Sequence, residues 1–229
     1  MCIRSIRRSH SVNHKTKFQE TDIINIVIAG TAGQGVITIK RLIEFAAHDS
    51  NCQSIFGSEM HGLAQREGAI TSHTRYQKIL SHNVRKNLYS PSICYGGADL
   101  YLGFEPSEVL RRAQFASERT IFCINSRTIP PILVAAKMDE YPKLETIEKI
   151  LKEISNNVFF INATEMALDH FDDAQKMNMI MLGFAVASGS IPFIKIDDYK
   201  NVIKRELRQP DMNIKAFDLG YEKGKEVFG

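Results

Sequence analysis

Two stretches of the chain hold residues whose types and spacing could do chemistry. The first is Gly30-Thr31-Ala32-Gly33-Gln34-Gly35, directly after the apolar run Ile23–Ala29 and directly before the pattern Val36, Ile39, Leu42, Ile43, Ala46. A glycine-rich turn between a strand and a helix presents unpaired backbone N–H groups, which suit a phosphate or another anion. The spacing is GxxGxG, not GxGxxG, and no lysine followed by Ser or Thr stands at the end of the loop. Asp49 comes too early, and Glu59 too late, for the ribose-binding acid that follows a dinucleotide turn by about 20 residues. The loop is therefore an anion-contacting turn, a tight turn that lets the helix approach the sheet, or a contact for a partner's backbone.

The second stretch places Ser58, Glu59, His61, Gln65, Arg66, Ser72, His73 and Arg75 within 18 residues. Arginine can clamp a carboxylate or phosphate with paired donors, and histidine can move a proton near neutral pH. The plainer alternatives are an Arg66–Glu59 pair that holds a loop and a structural, hydrogen-bonded His73. A metal site on His61 and His73 has no HxH or HExxH arrangement behind it, so no metal is expected. Ser58 lacks the GxSxG elbow, and Cys2, Cys52, Cys94 and Cys123 form no CxxC pair, which excludes a self-contained iron–sulfur or zinc-ribbon site. Glu105, before Pro106, either lines the crevice at the carboxyl end of a strand or caps the helix that follows. Asn125-Ser126, with Thr128-Ile129-Pro130-Pro131 after it, reads as another strand end and rigid turn.

The elements that must position these groups alternate. Strands are expected at Ile23–Ala29, Ala98–Phe104, Thr120–Ile124 and Val158–Ile161, with helices following at Val36–Ala46, about Pro106–Phe115 and Ala163–His170. Such alternation predicts an α/β domain with three layers, helices covering both faces of a mostly parallel sheet. A strand near Gln53–Phe56 leads into residues 57–68, whose polarity and glycines predict a loop, and Ala69–Arg75 alternates as a strand with Ser72 and His73 on opposite faces. Beyond Lys176 the pattern is helical: Asn178–Ala187, a helix capped by Asp197 or Asp198 and running to about Leu207, and the last 18 residues.

A chain of 229 residues with 44% apolar and 24% charged residues can bury one substantial core, and no linker or repeat divides it. Residues 1–22 read as a basic, disordered extension and residues 23–229 as one domain. Residues 1–20 carry Arg4, Arg7, Arg8, Lys15 and Lys17 against Glu20, so the remainder nets −1 although the whole chain is +3. That balance gives no reason to expect nucleic acid as a partner. No apolar run approaches the ~18 residues that cross a bilayer, so no membrane partner is expected and a cytoplasmic location is.

Five motifs in order are similar to the gamma subunit or gamma domain of the 2-oxoacid (pyruvate):ferredoxin oxidoreductases, and within it to the small beta subunit of indolepyruvate:ferredoxin oxidoreductase. They are GTAGQG at 30–35, SEMHGLAQREGAITSHTR at 58–75, GGADLYLGFEPSEVLR at 96–111, NSRTIPP at 125–131 and NMIMLGFA at 178–185. The family pattern has a glycine at Ala32 and Gln-Arg-Gly-Gly where this chain has Gln65-Arg66-Glu67-Gly68. The resemblance implies a Rossmann-like domain that is not active alone. Its partner would be a large subunit carrying thiamine diphosphate and iron–sulfur clusters, with coenzyme A as cosubstrate and ferredoxin as electron acceptor, and no cofactor bound by this chain by itself. The implied reaction is oxidative decarboxylation of a 2-oxoacid, an aryl pyruvate for the indolepyruvate branch. By position, Gly30, Gly33, Gln34, Gly35, Glu105 and Asn125 are the cofactor-contacting candidates. Glu59, His61, Arg66 and Arg75 are the catalytic candidates, with Gln65 beside them. An isolated chain is expected to be able to form a homodimer through its partner-shaped face. The readings from other classes are a stand-alone coenzyme- or nucleotide-binding module and a purely structural assembly subunit.

Overall fold

The computed structural model describes residues 18–61, 68–130, 134 and 140–229. Six strands form one sheet: β1 (Ile23–Thr31), β2 (Ser54–His61), β3 (Ala69–Gln77), β4 (Leu100–Gly103), β5 (Ile121–Asn125) and β6 (Val158–Ile161). Among the described residues seven helices flank it: α1 (Val36–Asp49), α2 (Pro106–Arg111), α3 (Leu144–Ile154), α4 (Ala163–Phe171), α5 (Met177–Ala187), α6 (Ile196–Glu206) and α7 (Pro210–Phe228). The strand order is β2-β3-β1-β4-β5-β6. Strands β1, β4, β5 and β6 run parallel, while β3 lies antiparallel between β1 and β2. The sheet is thus mostly parallel with an antiparallel hairpin at one edge, helices cover both faces, and the fold is the expected Rossmann-like three-layer α/β type.

β1 reads IINIVIAGT and is buried along almost its whole length, as a central strand covered on both faces must be. α1 buries Val36, Ile39, Leu42, Ile43, Ala46 and Ala47, the single stripe that its spacing predicts. On that face α1, α4, α5, α6 and α7 enclose the larger core, built on Ile24, Ile26, Ile28, Leu100, Leu102 and Cys123. Among the described residues, α2 and α3, through Val109, Ile147 and Leu151, are the helices that close the smaller core on the opposite face over Val27, Tyr101 and Phe122.

α5 is apolar nearly all round because it is packed on most sides, and α7 crosses it at backbone contact. A Cβ at Gly183 would overlap the Phe217 carbonyl oxygen, and one at Gly220 the Ile180 carbonyl oxygen, so neither position accepts a side chain without separating the helices.

Three expectations are corrected. Residues 57–61 are not loop but the second half of β2, paired in register with β3 from Ser54↔Gln77 to His61↔Ile70. Their polarity follows from the edge position and from α1: Lys40 and Glu44 lie over Gly57, where a Cβ would collide with both side chains, and Lys40 reaches Glu59. Neither Asp197 nor Asp198 caps α6. Lys195 holds the N-cap, and both acids sit in the first turn, where they favour the helix dipole, Asp198 accepting from Ser50 Oγ at 2.5 Å. α2 also ends earlier than expected, at Arg111, and is followed by a 3₁₀ turn over Ala113–Phe115.

Candidate functional site

The carboxyl ends of the parallel strands gather most of the candidate residues. Gly35 takes φ +85° and caps α1 through its backbone, with no side-chain cap and no acid in the first turn. A Cβ there would overlap Asn178 Nδ2 at the start of α5, whereas one at Gly33 (φ +89°) meets open space. The loop is held by its own glutamine. Gln34 Oε1 accepts from Thr31 N at 2.7 Å, and Gln34 Nε2 donates to the Phe104 carbonyl at 3.1 Å. Asn125 Nδ2 donates to that same carbonyl at 3.3 Å and to Thr164 Oγ1 at 3.0 Å. One carbonyl at the end of β4 therefore ties the turn after β1 to the end of β5.

Glu105 is fully buried beside it. Oε2 accepts from Ser107 Oγ at 2.6 Å and from Glu108 N at 2.9 Å, which is the helix cap that its position before Pro106 offered. Oε1 accepts from Tyr141 OH at 2.5 Å and from Ile129 N at 3.3 Å. Four donors on one carboxylate make the negative charge tolerable in the interior without a cation. Burial and the adjacent Glu105 carboxylate push the Tyr141 hydroxyl far above its usual range.

His61 ends β2 at the same end of the sheet, level with Gly30 across Ile70. Its ring is exposed, and Nε2 lies 3.5 Å from Glu59 Oε2. Glu59 also faces Lys40, whose Nζ stands 3.3 Å from Glu59 Oε1 and 3.4 Å from Glu44 Oε2. Burial raises the Glu44 carboxyl pKa despite that ammonium. A cleft of about 500 Å³, between α1 and the end of α6, opens on Lys40, Glu44 and Glu59. Lys40 and Glu44 were not singled out from sequence; their i, i+4 spacing on α1 was the available signal.

Arg75 is placed apart from these groups, toward the amino end of β1, opposite Asn25. Its Nε donates to Asn25 Oδ1 at 2.7 Å, and Nη1 donates to the carbonyls of Ser90 and Ser92 at 2.8 and 2.9 Å. His73, two residues earlier, accepts the Ile93 N–H on Nδ1 at 3.2 Å, which puts its own proton on Nε2. Burial, reinforced by Arg75 and Arg112, lowers its pKa to about 4, so the ring is neutral. The two side chains lay the 90–93 segment along the sheet. Gln65, Arg66 and Glu67 lie outside the described residues, as do residues 1–17 of the basic extension and Pro131 of the turn after β5. The chain leaves for 62–67 at His61 and re-enters at Gly68, whose carbonyl accepts from Ala32 N in the glycine loop at 3.0 Å.

The strand-end polar side chains are thus largely committed to one another. What the turn leaves available is main chain: the uncapped first turn of α1 and the open flank of Gly33, a donor surface suited to an anion. Among the described residues no group of three or more His, Cys, Asp or Glu side chains is placed to hold a metal ion, and no helix is long and apolar enough to cross a membrane.

Comparison with known proteins places this arrangement. Residues 25–223 match the family model described as pyruvate ferredoxin/flavodoxin oxidoreductase. The indolepyruvate oxidoreductase subunit IorB of Pyrococcus horikoshii is 31% identical over 205 residues, which are 89% of this chain and 96% of that protein. Its counterpart in Archaeoglobus fulgidus is 31% identical over 202 residues, 87% and 94% of the two chains. The gamma subunit of a keto/oxoacid ferredoxin oxidoreductase from Geobacter sulfurreducens superposes with a TM-score of 0.60 at 17% identity, over 88% of this chain and 98% of that one, a likeness of fold.

Proposed function

The chain belongs to the pyruvate ferredoxin/flavodoxin oxidoreductase family, and from that premise we propose that it is the small, cluster-free subunit of a 2-oxoacid:ferredoxin oxidoreductase acting on indolepyruvate and related aryl pyruvates. The observation that carries the reading is the 31% identity to an indolepyruvate oxidoreductase subunit over 96% of that subunit's length. In the assembled enzyme thiamine diphosphate and iron–sulfur clusters of a large subunit would supply decarboxylation and electron transfer to ferredoxin, the acyl group passing to coenzyme A.

This chain's share is positional. The uncapped amides at the start of α1 and the bare flank of Gly33 face outward at the carboxyl end of the sheet, where they can hold an anionic group of a coenzyme or substrate. Gln34, Asn125 and Glu105 hold that end rigid through the Phe104 carbonyl and the buried carboxylate. Glu59 and His61 line its edge, and the segment carrying Gln65 and Arg66 departs from the same place. Arg66, outside the described residues, is assigned the positioning of an anion, and Arg75 acts by fixing the 90–93 segment.

The test is anaerobic co-expression with the large subunit, followed by assay of coenzyme A-dependent reduction of ferredoxin or a viologen dye. Indolepyruvate turnover by the pair, at least tenfold above pyruvate and absent from either chain alone, is the expected result. A stable pair that prefers pyruvate would replace the substrate. A pair that turns over normally with Arg66→Ala and His61→Ala would reduce this chain to an assembly subunit. A chain that never pairs would leave a stand-alone coenzyme-binding module.

A further inference from the structure

The helical layer is unequal on the two faces of the sheet. α2 and α3 cover β1, β4 and β6, but over the outer face of the β2–β3 hairpin the cover among the described residues is the 78–97 segment, which has no regular structure apart from one 3₁₀ turn at Val84–Lys86. That segment is built rather than loose. Arg75 and His73 fasten residues 90, 92 and 93 from below, Gln77 Nε2 donates to the Lys86 carbonyl at 3.1 Å, and Asn87 is bonded to Ser81 in both directions. Eleven large apolar side chains are exposed among the described residues, and two of them are on β2 and five on this segment, Tyr95, Tyr89 and Val84 being 76%, 67% and 63% exposed. From Gly68 to Ala98 the sequence holds no Asp or Glu, while Arg85 and Lys86 are exposed beside the tyrosines.

We propose that this shoulder is the surface on which the large subunit of the enzyme sits, and that the partner meets it with an apolar patch rimmed by carboxylates. The inference rests on the subunit reading above and adds to it the place and chemistry of the contact. Exposed tyrosines near cations give contact area at low entropic cost, and a segment with no acid of its own rewards an acidic partner. Charge argues against the other occupants. A second copy docking shoulder to shoulder would set one positively charged surface against another. The chain's own residues 1–17 carry Arg4, Arg7, Arg8, Lys15 and Lys17 and would add like charge to like.

Cys94 is exposed on the shoulder and serves as its reporter. The rate of Cys94 alkylation by N-ethylmaleimide, read by peptide mass mapping, is compared in the free full chain and in the complex reconstituted with the large subunit. Protection of at least tenfold in the complex is expected. The variant Arg85→Glu/Lys86→Glu/Tyr89→Ser should weaken association by at least 30-fold, and the control Lys223→Glu/Lys225→Glu on α7 by less than twofold, with thermal unfolding confirming that both fold. A complex in which Cys94 reacts at the free rate overturns the proposal and leaves the subunit reading intact; failure of the wild-type chain to bind the large subunit sinks the subunit reading itself. Alkylation that slows with concentration of the chain alone assigns the shoulder to a second copy. Alkylation that quickens on deleting residues 1–17 assigns it to the chain's own extension, and protection by a single-stranded oligonucleotide but not by the large subunit assigns it to nucleic acid. Each of these three results also overturns the proposal.

Discussion

Ile129 and Tyr141, twelve residues apart, donate to the same oxygen of Glu105, one from its backbone N–H and the other from its phenol. The chain that leaves β5 and the chain that enters α3 are therefore pinned to a single atom at the end of β4. Loss of that acceptor should release both. Glu105→Gln presents an amide N–H to two of four donors and should destabilise the fold by roughly 2–4 kcal/mol, against about 1–2 kcal/mol for Tyr141→Phe. Urea unfolding gives the difference, and faster hydrogen exchange at the Ile129 and Tyr141 amides locates it. Equal effects from the two substitutions would show that the pin does not act through Glu105.

Gly35 and Gly33 have nearly the same positive φ but different surroundings. Alanine at Gly33 should cost about 1 kcal/mol of backbone strain. At Gly35 the overlap with Asn178 adds to the strain, and roughly 2–4 kcal/mol is expected. Asn178→Ala should recover part of the loss in the Gly35→Ala background and none in the Gly33→Ala background. A double-mutant cycle on the two pairs, followed by thermal unfolding, checks this.

His73 ties stability to pH. Its pKa of about 4 in the fold lies below the 6.5 of a free imidazole, so between those values the unfolded chain binds more protons. The contribution is complete above about pH 6.5 and is lost as pH falls toward 4, amounting to about 2–3 kcal/mol. His73→Asn, which can still accept the Ile93 N–H, should flatten the stability profile across that window. An unchanged slope would mean that another group carries it.

Lys40 stands between two carboxylates, Glu44 and Glu59, with little solvent access. Lys40→Met leaves two like charges facing each other and should destabilise by roughly 2–4 kcal/mol at pH 7. The deficit should shrink as pH falls and Glu44, already raised by burial, takes a proton. Urea titrations at pH 5 and pH 7 distinguish this from simple loss of packing, which would give the same deficit at both.

The parts of this structure written in local pattern could be read without coordinates. β6 and α4 fall within a residue of their expected bounds because an apolar strand and a capped apolar stripe stand side by side in sequence. The cap made by Glu105 was legible for the same reason, since Ser107 and Glu108 are its neighbours. Tyr141 was not, because nothing within a few residues of Glu105 announces a donor 36 positions away. The second half of β2 was misread because Glu59 answers Lys40 on another element, and polarity in an edge strand looks like polarity in a loop. Arg75 carries the same lesson: besides Asn25, 50 residues before it, its partners are carbonyls 15 and 17 residues on, invisible to any reading of side-chain types.

The backbone contact between α5 and α7 also sets a schedule. α5 lies against the sheet, yet the face it turns to α7, around Ile180, Gly183 and Phe184, is shielded only when Phe217, Gly220 and Gly224 arrive. During synthesis those groups leave the ribosome well before residues 210–228 do, at a few residues per second to a few tens. For that interval the nascent chain shows the cell an unfinished, aggregation-prone surface, and the emergence of α7, rather than completion of the sheet, marks the moment at which chaperones can let go.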